Sequence, residues 1–183
     1  MTGLNRHGWL LVAAAVAVMA ALFVAIRAPD APEPQVEASF DAEAATTTEI
    51  VGVAIVADGD TIRVGPRHIR FDGIDSPVQG SMCGDVNIYR AAGNALREVT
   101  ASGEVRCRIS DQPDTKGRDM AQCRVGETDL NEYMVSQGWA RDWPLHSNGA
   151  YADEEAAARA AQLGVWGPSC PSDMWGDERD YSQ

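Results

Sequence analysis

Residues 8–26 form a run without a single charged or hydrogen-bonding aliphatic side chain: GWLLVAAAVAVMAALFVAI. At about 1.5 Å per residue, a helix over this run is roughly 28 Å long, close to the hydrocarbon thickness of a bilayer. A cleaved signal peptide carries a shorter apolar region, about 7–15 residues. The sequence Arg27-Ala28-Pro29-Asp30 that follows offers no small-x-small cleavage site. Residues 1–27 are therefore read as an uncleaved membrane anchor, with a signal segment as the alternative. Arg6 and His7 precede the run and the chain turns acidic after Arg27. The positive-inside rule then puts everything beyond Arg27 outside the cytoplasm, in the periplasm or the extracellular space.

Residues 28–48 (APDAPEPQVEASFDAEAATTT) hold Pro, Ala, Glu and Thr with no periodic apolar face. Such a segment reads as a semi-extended tether. The chain from 50 to 183 then carries 13 basic against 21 acidic residues, net −8, within a formal −12 for the whole sequence. Long-range electrostatics oppose nucleic-acid binding at that charge, so any such binding needs a local patch or a metal ion. Among the basic residues Lys116 is the one lysine; the others are arginines, whose planar forks suit phosphate oxygens.

Four cysteines, Cys83, Cys107, Cys123 and Cys170, include no C-x-x-C pair, which argues against a zinc site. An even number beyond a membrane anchor suggests two disulfides. Cys107 and Cys123 lie on consecutive expected strands. Folding that pair about Thr115 sets them opposite one another, so Cys107–Cys123 is expected, and Cys83–Cys170 follows by elimination.

Residues 49–56 (EIVGVAIV) are β-branched and apolar and read as a strand, closed by the Asp58-Gly59 turn. Residues 61–64 and 68–73 read as two more, the latter with Ile69 and Phe71 on one face and Arg70 and Asp72 on the other. Residues 89–100 have helical spacing through Tyr89, Ala92, Leu96 and Val99. Residues 105–109 and 120–125 are strands joined by the polar loop DQPDTKGRD. Residues 130–137 form a helix capped by Asp129, and residues 150–163 an Ala-rich one. The order β-β-β-α-β-β-α-α, mainly β with α, is that of a five-stranded OB-type Greek-key barrel with about three helices. The domain is placed at 49–170, followed by a polar tail at 171–183.

Five segments then occur in order: VADGDTIRV at 56–64, IRFDGIDSP at 69–77, KGR at 116–118, DLNEYMVSQGWA at 129–140 and ARAAQLGVWG at 158–167. Together they resemble the thermonucleases, the staphylococcal-nuclease-like proteins, from about residue 51 to 166. The resemblance implies a five-stranded OB barrel that hydrolyses phosphodiesters of DNA and RNA with a bound calcium ion. It implies Asp60 and Asp75, with the Ser76 carbonyl, as ligands of that ion, oxygen donors suited to a hard cation. It implies Arg70 and Arg118 as catalytic clamps on the phosphate.

Three positions depart from the family pattern. The motif D-[ST/A]-P-E ends here in Val78, so the glutamate that serves as general base is absent. General-base catalysis contributes about 10²–10⁴-fold, which implies weakened hydrolysis and weak calcium binding. Gln79 is able to orient a water but not to take its proton, and Asp72 and Asp85 are carboxylates within reach of the motif in sequence. Lys116 replaces an aromatic residue two before Arg118 and offers charge to a substrate. The loop after GWA reads RDWPLHSNGAY, where Trp143 either stacks on a base or covers the core edge; Trp139 and Trp166 are expected in the core. Two functions follow: a weakened or substitute-base nuclease, and a catalytically inactive binding module with an envelope partner. A purely structural membrane protein is the third class. A monomer is expected.

Overall fold

Alternation of apolar and charged side chains decides which way each strand faces. The structure, a computed structural model, describes residues 48–175. The anchor expected at 1–27, the tether up to residue 47 and residues 176–183 lie outside the described residues. Among the described residues no helix is long and apolar enough to cross a membrane.

In chain order the elements are β1 (Glu49–Gly52), β2 (Ala54–Val56), β3 (Thr61–Val64), β4 (Arg67–Phe71) and β5 (Ile74–Asp75). The hairpin β6 (Met82–Cys83) and β7 (Val86–Asn87) leads into α1 (Ile88–Thr100). Next come β8 (Val105–Ile109), β9 (Asp119–Val125), β10 (Thr128–Asp129), α2 (Leu130–Ser136) and β11 (Arg141–Asp142). The helices α3 (Pro144–Ser147) and α4 (Ala152–Ala160) and a 3₁₀ turn (Gly164–Trp166) complete the described chain.

The main sheet runs β1-β8-β9-β4-β3-β2, with β10 added to β9. Every pairing in it is antiparallel except β4 with β9. This sheet with its packed helices agrees with the OB-like architecture expected from the sequence, although the ladder counts seven strands rather than five and, among the described residues, no pairing joins its two ends, β1 and β2. The stretch 49–56 is likewise not one strand. It breaks at the exposed Val53, so that β1 pairs with β8 and β2 with β3. The neighbouring strands of a twisted sheet diverge, and one bent segment serves both.

Val105, Cys107, Ala121, Cys123 and Val125 turn inward from β8 and β9, while Arg106, Arg108, Gln122 and Arg124 stay in water. From the other side α1 contributes Ala92 and Leu96, and α2 contributes Leu130, Met134 and Val135. Full burial of each large side chain is worth about 1.5–3 kcal/mol. Asn87 caps α1 by accepting from the Arg90 amide, and Asp129 caps α2 by accepting from the Glu132 amide. Among the described residues there are four helices where about three were expected, because Pro144 sits in the first turn of a short α3. The last helix is also shorter than 150–163: Gln162 takes φ +53° and ends it.

Both expected disulfides are present, and no described cysteine is free. Cys107 and Cys123 face each other in the β8–β9 register. Cys83, in the hairpin before α1, is joined to Cys170 after the last helical turn, so the tail boundary placed at 171 cuts through packed chain: Met174 is buried against Cys83, Ile88 and Val165. Trp139 and Trp166 are only partly buried. Trp139 packs against both apolar clusters and Trp166 against the second.

Two joints tie the helices to the sheet. At the first, a Cβ on Gly164 would lie 2.1 Å from the Gly138 carbonyl oxygen, which instead accepts a 2.8 Å bond from the Val165 amide. Both glycines have positive φ, so the motifs GWA and LGVWG need glycine for one close backbone crossing. The second is Asn131, wholly buried on α2. Its Oδ1 accepts from the Cys123 amide at 3.1 Å, and its Nδ2 donates to the Asp72 carbonyl at 2.8 Å. It fastens β9 to the chain that follows β4.

Asn131→Ala should therefore leave buried backbone groups unpaired, each costing about 1–3 kcal/mol. Urea unfolding followed by tryptophan fluorescence measures the loss; a midpoint equal to that of the parent protein would contradict the assignment.

Candidate active site

The site is built on β3, β4 and β5. Asp60 closes the Asp58-Gly59 turn ahead of β3, and its carbonyl accepts from the Phe71 amide at 2.8 Å. Gly59 is required there because a Cβ would lie 2.8 Å from the Ala92 side chain and 2.9 Å from that of Ser76. Arg70 stands opposite Thr61 in the β3–β4 register. Asp75 stands opposite Arg141 in the β5–β11 pair.

Arg70, Asp60 and Asp75 form one buried cluster. Asp60 and Asp75 are almost wholly shielded, and Arg70 is 2% exposed. The Arg70 guanidinium ion-pairs directly with Asp60, lies 3.7 Å from an Asp75 oxygen and donates to the Ile74 carbonyl at 3.1 Å. The alternation expected for β4 puts Arg70 on the face opposite Ile69 and Phe71, and that face is covered as well. Ile69, Arg70 and Phe71 are all buried, because Asp60 and Asp75 cover the arginine's side of the strand.

The Asp60 oxygens also serve Ser76 and Thr61. Oδ2 accepts from the Ser76 amide at 2.8 Å and from its hydroxyl at 2.7 Å; Oδ1 accepts from the Thr61 hydroxyl at 3.0 Å. Ser76 thus touches the cluster through its amide and hydroxyl. Asp75 Oδ2 accepts from Arg141 Nε at 3.2 Å and Nη2 at 3.0 Å. Arg141 was not singled out from the sequence. Its signal was its place directly after GWA, but only the strand pairing shows which carboxylate it meets.

Asp58 lies beside these groups, and Asp60 donates its amide to Asp58 Oδ1 at 3.2 Å. Burial, followed by the negative charge of Asp60, pushes the Asp58 carboxyl up to about 6. Three carboxyls, Asp58, Asp60 and Asp75, thus stand with the guanidinium groups of Arg70 and Arg141, and the rise at Asp58 comes first from its burial and then from the charge of Asp60.

Arg118 reaches the edge of the site from the 110–118 loop. Its Nη1 donates to the Thr61 hydroxyl at 3.2 Å, while Nε and Nη2 each hold Asp114 at 2.6 Å. Partial burial pushes the Asp114 carboxyl up, but hydrogen bonds from the Arg118 amide and guanidinium outweigh it and hold the group below its usual range. Trp143 is brought in as well. Its amide donates to the Gly73 carbonyl at 2.8 Å, its ring centre lies 5.9 Å from the Arg70 guanidinium carbon, and His146 sits against it at 4.0 Å. Lys116 stays on the exposed loop, its amide bonded to Asp114 at 3.0 Å.

Val78 is half-buried, and its amide donates to the Met174 carbonyl at 2.9 Å. Of the carboxylates considered as replacements for the base, Asp72 accepts from the Ser110 hydroxyl at 2.9 Å and faces His146 at 3.8 Å. Asp85 lies exposed between β6 and β7.

The calcium ion implied by the resemblance meets a donor set of the right kind. Asp60 and Asp75 are hard oxygen donors, and a third carboxyl, Asp58, lies beside them. The set is thin, however. Among the described residues no group of three His, Cys, Asp or Glu side chains is arranged to hold a metal ion. The Asp60 oxygens already accept from Ser76 and Thr61, so an ion has to compete with them.

A carboxyl whose pKa rises on folding contributes most to stability when protonated. Its contribution is complete below the unfolded value of 3.8 and is lost as pH climbs through about 6. With chelator present, Asp58→Asn should remove that loss between roughly pH 4 and 6 and be more stable than the parent protein at pH 7. Thermal melts across this range measure it; parallel pH curves for the two proteins would contradict the shift.

The profile of the family described as staphylococcal nuclease homologue matches residues 68–168, more than half of the chain. That match includes Arg70, Asp75 and Arg118 and begins after Asp60. The chain is also 28% identical, over 131 residues, to the succinoglycan biosynthesis protein ExoI of Rhizobium meliloti (strain 1021), covering 68% of each chain. With this match over more than half of its length, the chain belongs to the staphylococcal nuclease homologue family.

Proposed function

We propose that the domain is an exported, membrane-tethered phosphodiesterase acting on DNA or RNA with calcium, its hydrolysis weakened by Val78. The observation that carries this reading is Arg70 paired with the buried carboxylates Asp60 and Asp75, with Arg118 donating to the Thr61 hydroxyl that in turn donates to Asp60. Asp60, Asp75 and the Ser76 carbonyl would hold the ion, which supplies Lewis-acid polarisation of a phosphoryl oxygen. Arg70 and Arg118 present guanidinium donors to the charge that develops on phosphorus. Trp143, beside Arg70, gives a base a ring to stack on, worth about 1–3 kcal/mol. Lys116 adds charge from the loop for the substrate backbone.

Val78 neither accepts a proton nor holds a water, so the attacking water is oriented without a base at that position. The second reading is an inactive binding module of the cell envelope with a partner there. Its support is Val78 itself, the net −8 of the chain beyond residue 49, and a relative named for succinoglycan biosynthesis.

Cleavage of DNA and RNA by the purified full chain, with calcium and with chelator, separates the two. A weak calcium-dependent activity is expected, and Val78→Glu should raise it by about 10²–10⁴. Isothermal titration should show weak calcium binding that Asp60→Asn removes. If the parent protein and Asp60→Asn bind calcium alike, or Val78→Glu gives no calcium-dependent cleavage, the phosphodiesterase reading fails and the binding module stands.

A further inference from the structure

The chain after the 3₁₀ turn runs back alongside the site. Ser169 accepts from the Gly84 amide at 3.1 Å. Cys170 is bonded to Cys83. Met174 is buried, and its carbonyl accepts from the Val78 amide at 2.9 Å and the Ser81 hydroxyl at 3.2 Å. Trp175 lies under the Arg141 guanidinium, 4.3 Å from carbon to ring centre, and against Trp166 at 5.8 Å. Arg141 in turn holds Asp75 Oδ2 with two donors. A covalent and stacking path therefore leads from Cys83–Cys170 through Trp175 and Arg141 to a carboxylate of the site.

We propose that residues 169–175 are a disulfide-held strap which positions Asp75 through the Trp175–Arg141 stack, so that reduction of Cys83–Cys170 loosens the site. Arg141 and Trp175 are positioning residues; neither is placed on the reacting atoms. The proposal rests on the phosphodiesterase reading only where it concerns calcium and rate. A cation–π contact is strongest when the guanidinium is desolvated, and Arg141 is mostly buried between Asp75 and the ring. Losing Trp175 returns that guanidinium to water and weakens its hold on Asp75.

The two disulfides differ in access. Cys107 and Cys123 are 0% and 2% exposed, whereas Cys170 is only partly buried. Exchange rate depends on access to the sulfur attacked. The thiolate of a small dithiol attacks Cys170 Sγ, the Cys83–Cys170 bond breaks, and Cys83 leaves as a thiolate and takes a proton. The second thiol of the reductant then displaces Cys170, leaving two protein thiols and one cyclic disulfide. The buried Cys107–Cys123 bridge survives this treatment.

Hydrogen exchange read by mass spectrometry tests the strap on the full chain without ligand. In a Cys83→Ala/Cys170→Ala double variant, and in the parent protein after brief dithiol treatment, the Ser76 amide and those of β5 and β11 should exchange at least tenfold faster. Amides of β8 and β9 report any general loss of stability and should change much less. Trp175→Ala, which keeps the bridge, should open the same site amides, and Trp175→Tyr should restore most of the protection. In calcium titrations the Ala variant should bind about tenfold more weakly, with kcat at saturating calcium little changed. If the site amides change no more than those of β8 and β9 in every variant, the strap is a local staple and the proposal is wrong. Absence of calcium binding in the parent protein would overturn the proposed function instead, while hydrogen exchange still decides the strap.

Discussion

The rest of the structure depends on one buried guanidinium. Arg70 lies between Asp60 and Asp75, and none of the three has more than slight access to water. Charges taken out of water are tolerable only when paired and hydrogen-bonded, and removing one partner of such a pair costs about 3–5 kcal/mol. The cluster therefore fixes β3 against β4, the Gly73 turn between β4 and β5, and through Arg141 the entry of β11. The same ion pairs that fix these strands also gather the groups to which the proposed function assigns the phosphate and the ion.

This arrangement leaves the carboxylates balanced rather than saturated. Arg70 and Arg141 oppose Asp60 and Asp75, and Asp58 stands beside them as a third carboxyl, raised by burial and by Asp60. A third carboxylate next to two hard donors favours a cation. The hydroxyls and amide already bound to Asp60 limit how tightly one is held. The cluster's own hydrogen bonds, as much as valine at position 78, are the ground for expecting any ion binding to be weak.

Much of this was legible in the sequence, for reasons that lie in particular residues. Val105–Ile109 alternates strictly and pairs with a second alternating strand, so both strands and the Cys107–Cys123 bridge could be placed by counting. Asp60, Asp75 and Arg118 were named only through the resemblance to the thermonucleases, on short motifs that contain turns, Gly59 in one and Gly73 in another. Arg70 was found in the same way, but its burial was not, because alternation within one strand says nothing about carboxylates arriving from two others. Arg141 escaped notice since its role is fixed by a two-residue pairing of β5 with β11, too short to leave a pattern. The stretch 171–175 read as a polar tail because Met174 and Trp175 are its only large apolar residues, and it takes the Cys83–Cys170 bridge to carry them inward. The bend at Val53 likewise has no local signature; it follows from serving two strands that diverge.

The central claim is that Arg70 and Arg118 with the Asp60–Asp75 pair form a calcium-assisted phosphodiester site. The most direct measurement is the affinity of the full chain for a short single-stranded oligonucleotide with phosphorothioate linkages, with calcium and with chelator. The account predicts binding at least tenfold tighter with calcium, a gain lost in Arg118→Met. Equal affinity in both conditions, or a calcium-dependent gain that Arg118→Met leaves intact, would contradict it.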